Sequence, residues 1–163
     1  MDQKVIVDLV NSLPGWVREM GIRITAASVD EVACELEIGD KHHQGYGIVH
    51  GGVHCGLIES LASIGAALYA LPRNQSVVGL ENTTSFIRAV RAGAKLRATA
   101  TPVTRGQRLR SGARRCSTQT AASSPPDACV CCASSRTRLL PASRCADRCI
   151  RRAAPSPTFR SRS

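Results

Sequence analysis

The sequence predicts an α+β fold in which a curved antiparallel sheet surrounds one buried central helix. Residues 53–71 are apolar almost all round, which is typical of a helix without a solvent-facing side. Apolar and polar side chains alternate at residues 22–38 and again at residues 77–100, as in strands with one buried face. A buried helix between strands of an antiparallel meander indicates an α+β domain, because the helix must pack against the sheet.

Two short helical segments precede the first strand. Residues 2–12 have the pattern of an amphipathic helix, which Pro14 ends. Trp16 and Met20 then mark a second short turn.

Two strands and a polar loop follow. Ile22 and Ile24 alternate with polar residues, and a second alternating run covers residues 32–38 after a turn at residues 29–31. Residues 39–49 are polar and contain glycine, so we expect a loop. This loop carries His42, His43, Gln44 and Tyr46 to the start of the buried helix.

The buried helix contains a single carboxylate, Glu59, and follows the segment His50-Gly51-Gly52. A carboxylate in apolar surroundings must be paired, face a polar cavity or have a raised pKa. Glu59 shares one side of the helix with Cys55, Gly56 and Ser63. The N–H groups at a helix start can bind a developing negative charge. Together, the carboxylate and the free N–H groups at the helix start indicate an acyl-transfer site.

Two further strands are predicted after the helix. Pro72 and its neighbours end the helix. Residues 77–88 indicate a long strand, and residues 96–100 indicate another that ends before Pro102.

The net charge of +10 is concentrated at the end of the chain. Residues 1–108 carry eleven basic and ten acidic side chains, whereas residues 109–163 carry eleven Arg and two Asp. The near balance of the first part argues against an acidic partner such as nucleic acid. Because we find no signal-peptide pattern and no uninterrupted apolar stretch that could span a bilayer, we predict a soluble, cytoplasmic protein.

Three sequence blocks occur in a fixed order. They are QGYGIVHGG at residues 44–52 with Glu59 and Ser63, VVGLEN at residues 77–82 with FIR at 86–88, and TRGQR at 104–108. In order and spacing they resemble the hotdog-fold acyl-CoA thioesterases of the phenylacetate-pathway type, over about residues 15–108. His-Gly-Gly alone would be weak evidence, but three blocks together are specific.

The resemblance implies hydrolysis of a small aromatic or aliphatic acyl-CoA to the free acid and coenzyme A. Glu59 is then the nucleophile or the base that activates water, and the Gly51 N–H holds the carbonyl oxygen. His50 and Gln44 orient the thioester or assist the departing sulfur. In this family the glutamate comes from one subunit and the other groups from its partner, which implies a homodimer or homotetramer.

The resemblance also implies a set of substrate contacts. Arg88, Arg105 and Arg108 correspond to positions that contact the nucleotide and pantetheine of coenzyme A. Because coenzyme A is part of the substrate, we expect no cofactor, and we expect no metal at the pair His42-His43. The predicted substrate-binding residues are Gly52, Ser63, Gly79, Asn82, Phe86, Ile87, Arg88, Ala89, Thr104, Arg105, Gly106, Gln107 and Arg108.

Each of these residue types also has an ordinary structural use. Glu59 could cap a neighbouring loop, and His50 could be a hydrogen-bonded core residue. Gly51 and Gly52 could permit close packing, and Ser63 could bond back to its own helical turn. A second function class is a non-hydrolytic hotdog protein that binds or dehydrates acyl thioesters. Glu59→Ala distinguishes the two classes, because it should abolish hydrolysis while binding persists.

Residues 109–163 depart from the family pattern, with six Cys, ten Ser and few large apolar residues. We interpret them as out of frame. A set of synonymous codons for LRSGARRCSTQTAASSPPDACVCC, preceded by one A and read one base earlier, encodes TQVWRATVFDADGRVVATGRVRLL. In this second sequence apolar and polar residues alternate on both sides of an Asp-Gly turn, as in a β-hairpin. We therefore expect a truncated hotdog domain at residues 1–108, with closing strands missing or disordered, and a poorly ordered tail.

A functional tail is the alternative. The five cysteines between residues 129 and 149 could ligate zinc or form disulfides, and the arginines could bind nucleic-acid phosphates. Their spacing fits no common zinc knuckle, and Phe159 is the only aromatic residue of the tail. We therefore do not favour a nucleic-acid partner.

Overall fold

The computed structural model describes the backbone of residues 2–105, 109–119 and 128–141, and the side chains of residues 2–103. The helices in this part of the chain are α1 (Gln3–Ser12), α2 (Trp16–Met20) and α3 (Gly51–Ala70). The strands are β1 (Arg23–Ala27), β2 (Val32–Glu37), β3 (Gln75–Phe86), β4 (Lys95–Arg105), β5 (Leu109–Gln119) and β6 (Ala128–Pro141). Short 3-10 turns cover Asp40–His42 and Leu71–Arg73.

The six strands form one antiparallel sheet in the order β1-β2-β4-β5-β6-β3. The two edges of the sheet are therefore β1 and β3. The α3 helix packs against this sheet and contributes to the same hydrophobic core as β1, β2 and β4. This arrangement confirms the predicted α+β class with a sheet around a central helix.

The core lies between α3 and the sheet. Leu57 and Leu61 of α3 are almost completely buried, as are Ile24 and Leu36 of the facing strands. The expectation that no segment could span a bilayer needs a correction, because Gly51–Arg73 is long and apolar enough by composition. Its packing against the sheet identifies it as the core helix of the domain.

The two N-terminal helices pack against different elements of this core. The Asn11 side chain of α1 pairs with Ile24 of β1: its Nδ2 donates to the carbonyl, and its Oδ1 accepts from the N–H, both at 2.9 Å. The amide thereby takes the place of a neighbouring strand at that edge. In α2, the Trp16 ring lies directly on Gly56 of α3, where an added Cβ would come within 2.6 Å of Cζ2.

Several element boundaries differ from the sequence-based prediction; β3, for example, was predicted at residues 77–88 and covers Gln75–Phe86. The α3 helix begins at Gly51, two residues earlier, because His50 caps it. The β4 strand does not end before Pro102 but continues to Arg105, so that prediction was wrong. The pairing with β5 shifts between Pro102 and Thr104, and such an irregularity lets a strand accommodate proline.

The expectation that the closing strands are missing is also wrong. The backbone of β5 and β6 forms an antiparallel hairpin that joins β4 to β3. Backbone pairing is open to any residue with an N–H, whatever its side chain. The residues of this hairpin are nonetheless unusual for a core strand, since Arg114 lies in register opposite the buried Ala100. The expected disorder of residues 120–127 and 142–163 lies outside the described residues.

Candidate active site

His50 caps the start of α3. The Gly52 N–H donates to Nδ1 of His50 at 2.9 Å, and the Val53 N–H donates to the His50 carbonyl at 2.9 Å. No hydrogen bond among the described residues uses the Gly51 N–H, which is one of the N–H groups that a helix cannot satisfy internally. Because Nδ1 accepts a hydrogen bond, a neutral His50 ring carries its proton on Nε2.

The buried His42 fixes the backbone just before α3 through hydrogen bonds. Its Nδ1 accepts from the Gly39 N–H at 2.9 Å, and its Nε2 lies 2.8 Å from the Met20 carbonyl. Its own carbonyl accepts from the His50 N–H at 2.8 Å. Sequence reasoning placed His42 in the loop but missed this role, because a polar loop pattern does not show which of two adjacent histidines is buried.

The carboxylate of Glu59 lies two turns further along α3, against the edge strand β3. An ideal Cβ on Gly79 would collide with Oε1 of Glu59 and lie 3.3 Å from its Cδ. The Ser63 hydroxyl donates to the same Oε1 at 3.2 Å. The half-buried carboxylate is therefore fixed by one hydrogen bond and by a strand position that only glycine can occupy without a shift.

Within one chain, Glu59 and Gly51 cannot reach the same carbonyl group. They are eight residues apart on a continuous helix, which separates them by about 12 Å along the helix axis. A site that uses both must therefore combine Glu59 of one copy with the helix start of another. The structure describes one chain, so this inference rests on helix geometry.

The Phe86 ring covers the helix start. An ideal Cβ on Gly51 would lie 3.1 Å from Cζ of Phe86, and the ring centroid is 6.1 Å from that of His54. Phe86 and the following Ile87 are both exposed, and Tyr46 at the tip of the preceding loop is 89% exposed. The exposed side of the Phe86 ring therefore adds apolar surface beside the helix start.

The remaining predicted residues fall into three groups. Asn82 donates from Nδ2 to the Cys55 carbonyl at 2.9 Å and accepts from Thr84, so it ties β3 to α3. Gln44 is half-buried in the loop before α3, whereas Arg88 and Ala89 are exposed beyond the end of β3. Thr104 and Arg105 lie in β4 with only their backbone described, and Gly106, Gln107 and Arg108 lie outside the described residues.

The residues predicted to share one side of α3 contact two different elements. Glu59 and Ser63 face β3, whereas Gly56 faces Trp16. Ser60, rather than Ser63, bonds back to its own turn, donating to the Gly56 carbonyl at 2.8 Å.

The buried Cys34 thiol belongs to the scaffold of the domain. Burial raises the pKa of the Cys34 thiol to about 12, so it stays protonated and is not a nucleophile at neutral pH. Within residues 2–103, whose side chains are described, no three His, Cys, Asp or Glu side chains are grouped to hold a metal ion.

Comparisons with known proteins match the part of the chain that contains the candidate site. The sequence model of the thioesterase superfamily matches residues 46–109. A candidate esterase of Mycobacterium tuberculosis is 38% identical over 92 residues, which is 55% of this chain and 65% of that protein. The solved structure of that candidate esterase superimposes with a TM-score of 0.69 and 30% identity, covering 77% of this chain and 95% of the other. The chain therefore belongs to the thioesterase superfamily, and its fold is the hotdog fold.

Two further relatives show the range of the family. The 1,4-dihydroxy-2-naphthoyl-CoA hydrolase of Listeria monocytogenes is 37% identical over 79 residues, which is 48% of this chain and 63% of that enzyme. The phenylacetic acid degradation protein PaaI of Thermus thermophilus shares the fold, with a TM-score of 0.66 and 17% identity over 75% of this chain and 96% of the other. The predicted resemblance to hotdog-fold thioesterases is thus confirmed, whereas the phenylacetate-pathway type stays a prediction. The sequence matches cover less than two thirds of the curated relatives' own length.

Proposed function

We propose that this protein is an acyl-CoA thioesterase that hydrolyses a thioester to a carboxylic acid and coenzyme A. The observation that carries the proposal is the position of Glu59, half-buried on the central helix and held by Ser63 against Gly79. The relatives named as a candidate esterase and as an acyl-CoA hydrolase support the same reaction class.

In the proposed reaction the Gly51 N–H holds the thioester carbonyl oxygen as negative charge develops on it. Glu59 either attacks the carbonyl carbon or removes a proton from the attacking water. The carbon–sulfur bond then breaks, and the thiolate leaves and takes up a proton. Attack by water gives the acid directly, whereas attack by Glu59 gives a mixed anhydride that a water molecule must hydrolyse to release the acid and free the carboxylate. His50 and Gln44 would orient the thioester or assist the departing sulfur.

We propose further that two copies of the chain pair through β3. The edge at β1 is occupied by the Asn11 amide, whereas in the described part of the chain β3 pairs only with β6. An unpaired edge with exposed apolar residues favours pairing with another strand. Val78, Leu80 and Phe86 of β3 are exposed. Such a dimer would place two copies of α3 close enough to share each site.

Subunit mixing tests the shared site. Gly51→Pro removes the N–H at the first helical position, where proline is well tolerated, and Glu59→Gln removes the carboxylate. Each variant alone is expected to be nearly inactive, while an isolated hybrid dimer contains one intact site of two and recovers about half of the wild-type rate; an unsorted random mixture, in which half of the dimers are hybrids, recovers about a quarter. Absence of recovery in hybrids isolated with two different affinity tags would contradict the shared site.

The finer features of the substrate are part of the same proposal. The exposed Arg88, together with Arg105 and Arg108, would bind the phosphates of coenzyme A through their planar guanidinium groups. The acyl group would be small and aromatic or aliphatic. We place the reaction in the cytoplasm, and it would need no cofactor beyond the coenzyme A of the substrate.

The direct test measures free thiol released from a panel of aromatic and aliphatic acyl-CoA thioesters by the full-length chain. A chain with residues 109–132 restored to the alternative frame is assayed in parallel. We expect thiol release from at least one thioester, and slower cleavage of the matched oxygen ester. Binding of acyl-CoA without thiol release by either chain would instead support the non-hydrolytic class.

A further inference from the structure

The imidazole of His54 is a buried polar group that the proposed mechanism does not use. It lies on the first turns of α3 and is only 4% exposed. Its Nδ1 has no hydrogen-bond partner among the residues whose side chains the structure describes. Buried polar atoms in folded proteins almost always have a partner, so an atom without one calls for an explanation such as a bound ligand.

The Phe86 ring lies next to both His54 and the start of α3. Its centroid is 6.1 Å from that of the imidazole, and the two ring planes are tilted by 55°. The same ring lies on Gly51, 3.1 Å from an ideal Cβ position. Phe86 is the last residue of β3 and is 56% exposed, so its inner face covers these residues while its outer face meets solvent.

Helix geometry fixes the separation of Gly51 and His54. Residues three apart on a helix are neighbours, with about 5–6 Å between their Cβ positions. An acyl group whose carbonyl oxygen is held at the Gly51 N–H would therefore extend past Phe86 towards His54. A hydroxyl group on a six-membered ring spans a comparable distance from the carbonyl.

We propose that His54 determines acyl specificity by accepting, at Nδ1, a hydrogen bond from a hydroxyl of the acyl group. Phe86 would pack on the apolar face of the same group. This inference rests on the proposed function, because it assumes that the thioester carbonyl lies at Gly51. A site whose buried polar atom is satisfied by a substrate hydroxyl discriminates against the analogue that lacks it.

The test compares kcat/KM for benzoyl-CoA and the three monohydroxybenzoyl-CoA isomers, using the full chain and the variants His54→Leu and His54→Asn. Leucine fills a similar volume without a polar atom, while the asparagine oxygen can take the place of Nδ1. We expect one isomer to be preferred over benzoyl-CoA by about tenfold in the wild type. His54→Leu should lose this preference, and His54→Asn should retain part of it.

The outcomes separate this inference from the proposed function. Hydrolysis of all four thioesters with the same ratios in the wild type and His54→Leu overturns the inference and leaves the proposed function intact. If none is hydrolysed, the proposed function fails, and binding decides the inference. In that case the nitrogen-15 shift of His54 Nδ1 is followed while benzoate or each of the three monohydroxybenzoates is added to the full chain. A change with at least one hydroxybenzoate and none with benzoate supports the inference, and no difference between benzoate and any of the three overturns it.

Discussion

At the scale of single residues, the site depends on one close approach between α3 and β3. The Glu59 carboxylate lies against the Cα of Gly79, and Ser63 donates to Oε1 at 3.2 Å. Sequence pattern predicted the importance of Glu59, because one carboxylate on an apolar helix must have a partner. It did not predict the contact with Gly79, since residue spacing shows which face of a helix a side chain occupies and not what lies opposite.

Substitution of Gly79 by alanine tests this contact. The new Cβ would collide with Oε1 of Glu59. We expect kcat to fall by about 100-fold, because a displacement of about 1 Å at a reacting group has an effect of that size. The matched control is Gly39→Ala, where an added Cβ meets nothing within 4 Å. Equal thiol-release rates in the two variants would contradict the assigned role of Gly79.

The burial of His42 and His54 was not predicted, because sequence pattern does not show what surrounds a side chain in the fold. Both are buried, at 2% and 4% exposure, and both were indistinguishable by sequence from solvent-exposed histidines. His42 is satisfied by contacts to Gly39 and Met20, which lie three and 22 residues away. Only the folded chain shows which of the two has both ring nitrogens bonded.

At the scale of elements, α1 and β2 were predictable because their apolar periodicity is regular, and α3 because it is apolar almost all round. The packing between them was not, because it depends on single small residues. Gly56 is the clearest case: it lies on the predicted stripe with Glu59, yet its surface is occupied by the Trp16 ring of α2. A glycine in a helix interior is unfavourable in itself, so a packing reason of this kind is expected.

Gly56→Ala should therefore destabilise the fold despite the better helix propensity of alanine. The added Cβ would come within 2.6 Å of Cζ2 of Trp16. We expect the free energy of unfolding to fall by about 1–3 kcal/mol, as for other overpacked sites. Denaturant unfolding measures this loss. Gly65→Ala serves as the helical control, because its Cβ would meet only Val32 Cγ2 at 3.3 Å; an equal loss there would count against the Trp16 contact.

The sheet carries a cross-strand charge cluster that makes stability depend on pH. Glu35 accepts from Lys95 at 3.1 Å and from Arg97 at 2.9 Å, and it also contacts Arg23. The hydrogen bond from Lys95, followed by Arg97 and the nearby positive charges, lowers the pKa of the Glu35 carboxyl. The unfolded chain thus binds a proton at a higher pH than the folded chain does.

The stabilising contribution of Glu35 is accordingly present above its unfolded-state pKa and is lost as pH falls towards the lower folded-state pKa. We expect Glu35→Gln to unfold at a lower denaturant concentration than the wild type at pH 7, with the difference shrinking below about pH 4.5. Glu31→Gln, on the exposed turn before β2, is the control. A difference between wild type and Glu35→Gln that grows on acidification would contradict this assignment.

At the scale of the whole molecule, the composition change at residue 109 remains the least expected feature. The backbone completes the sheet with β5 and β6, yet Arg114 occupies a register position opposite the buried Ala100. The alternative reading frame supplies an alternating apolar sequence in the same region. We therefore propose that the active polypeptide carries the restored frame.

Restoring the frame at residues 109–132 should raise both the unfolding midpoint and the rate of thioester hydrolysis. Apolar residues at core-facing strand positions add burial, whereas a charged residue there costs free energy unless it is paired. Thermal unfolding and thiol-release assays on the two chains measure both effects. A gene sequence that encodes the present residues in frame, together with an equal midpoint for the two chains, would refute the proposal.

The most direct measurement of the central claim compares the wild type with Glu59→Gln in thiol release from an acyl-CoA thioester. The substitution is made in the full chain and in the frame-restored chain, and folding is verified by unfolding midpoints. A general base or nucleophile at Glu59 predicts a loss of about 10²–10⁴-fold in kcat with unchanged folding. Retention of the wild-type rate by a folded Glu59→Gln protein would show that this carboxylate does not perform the reaction.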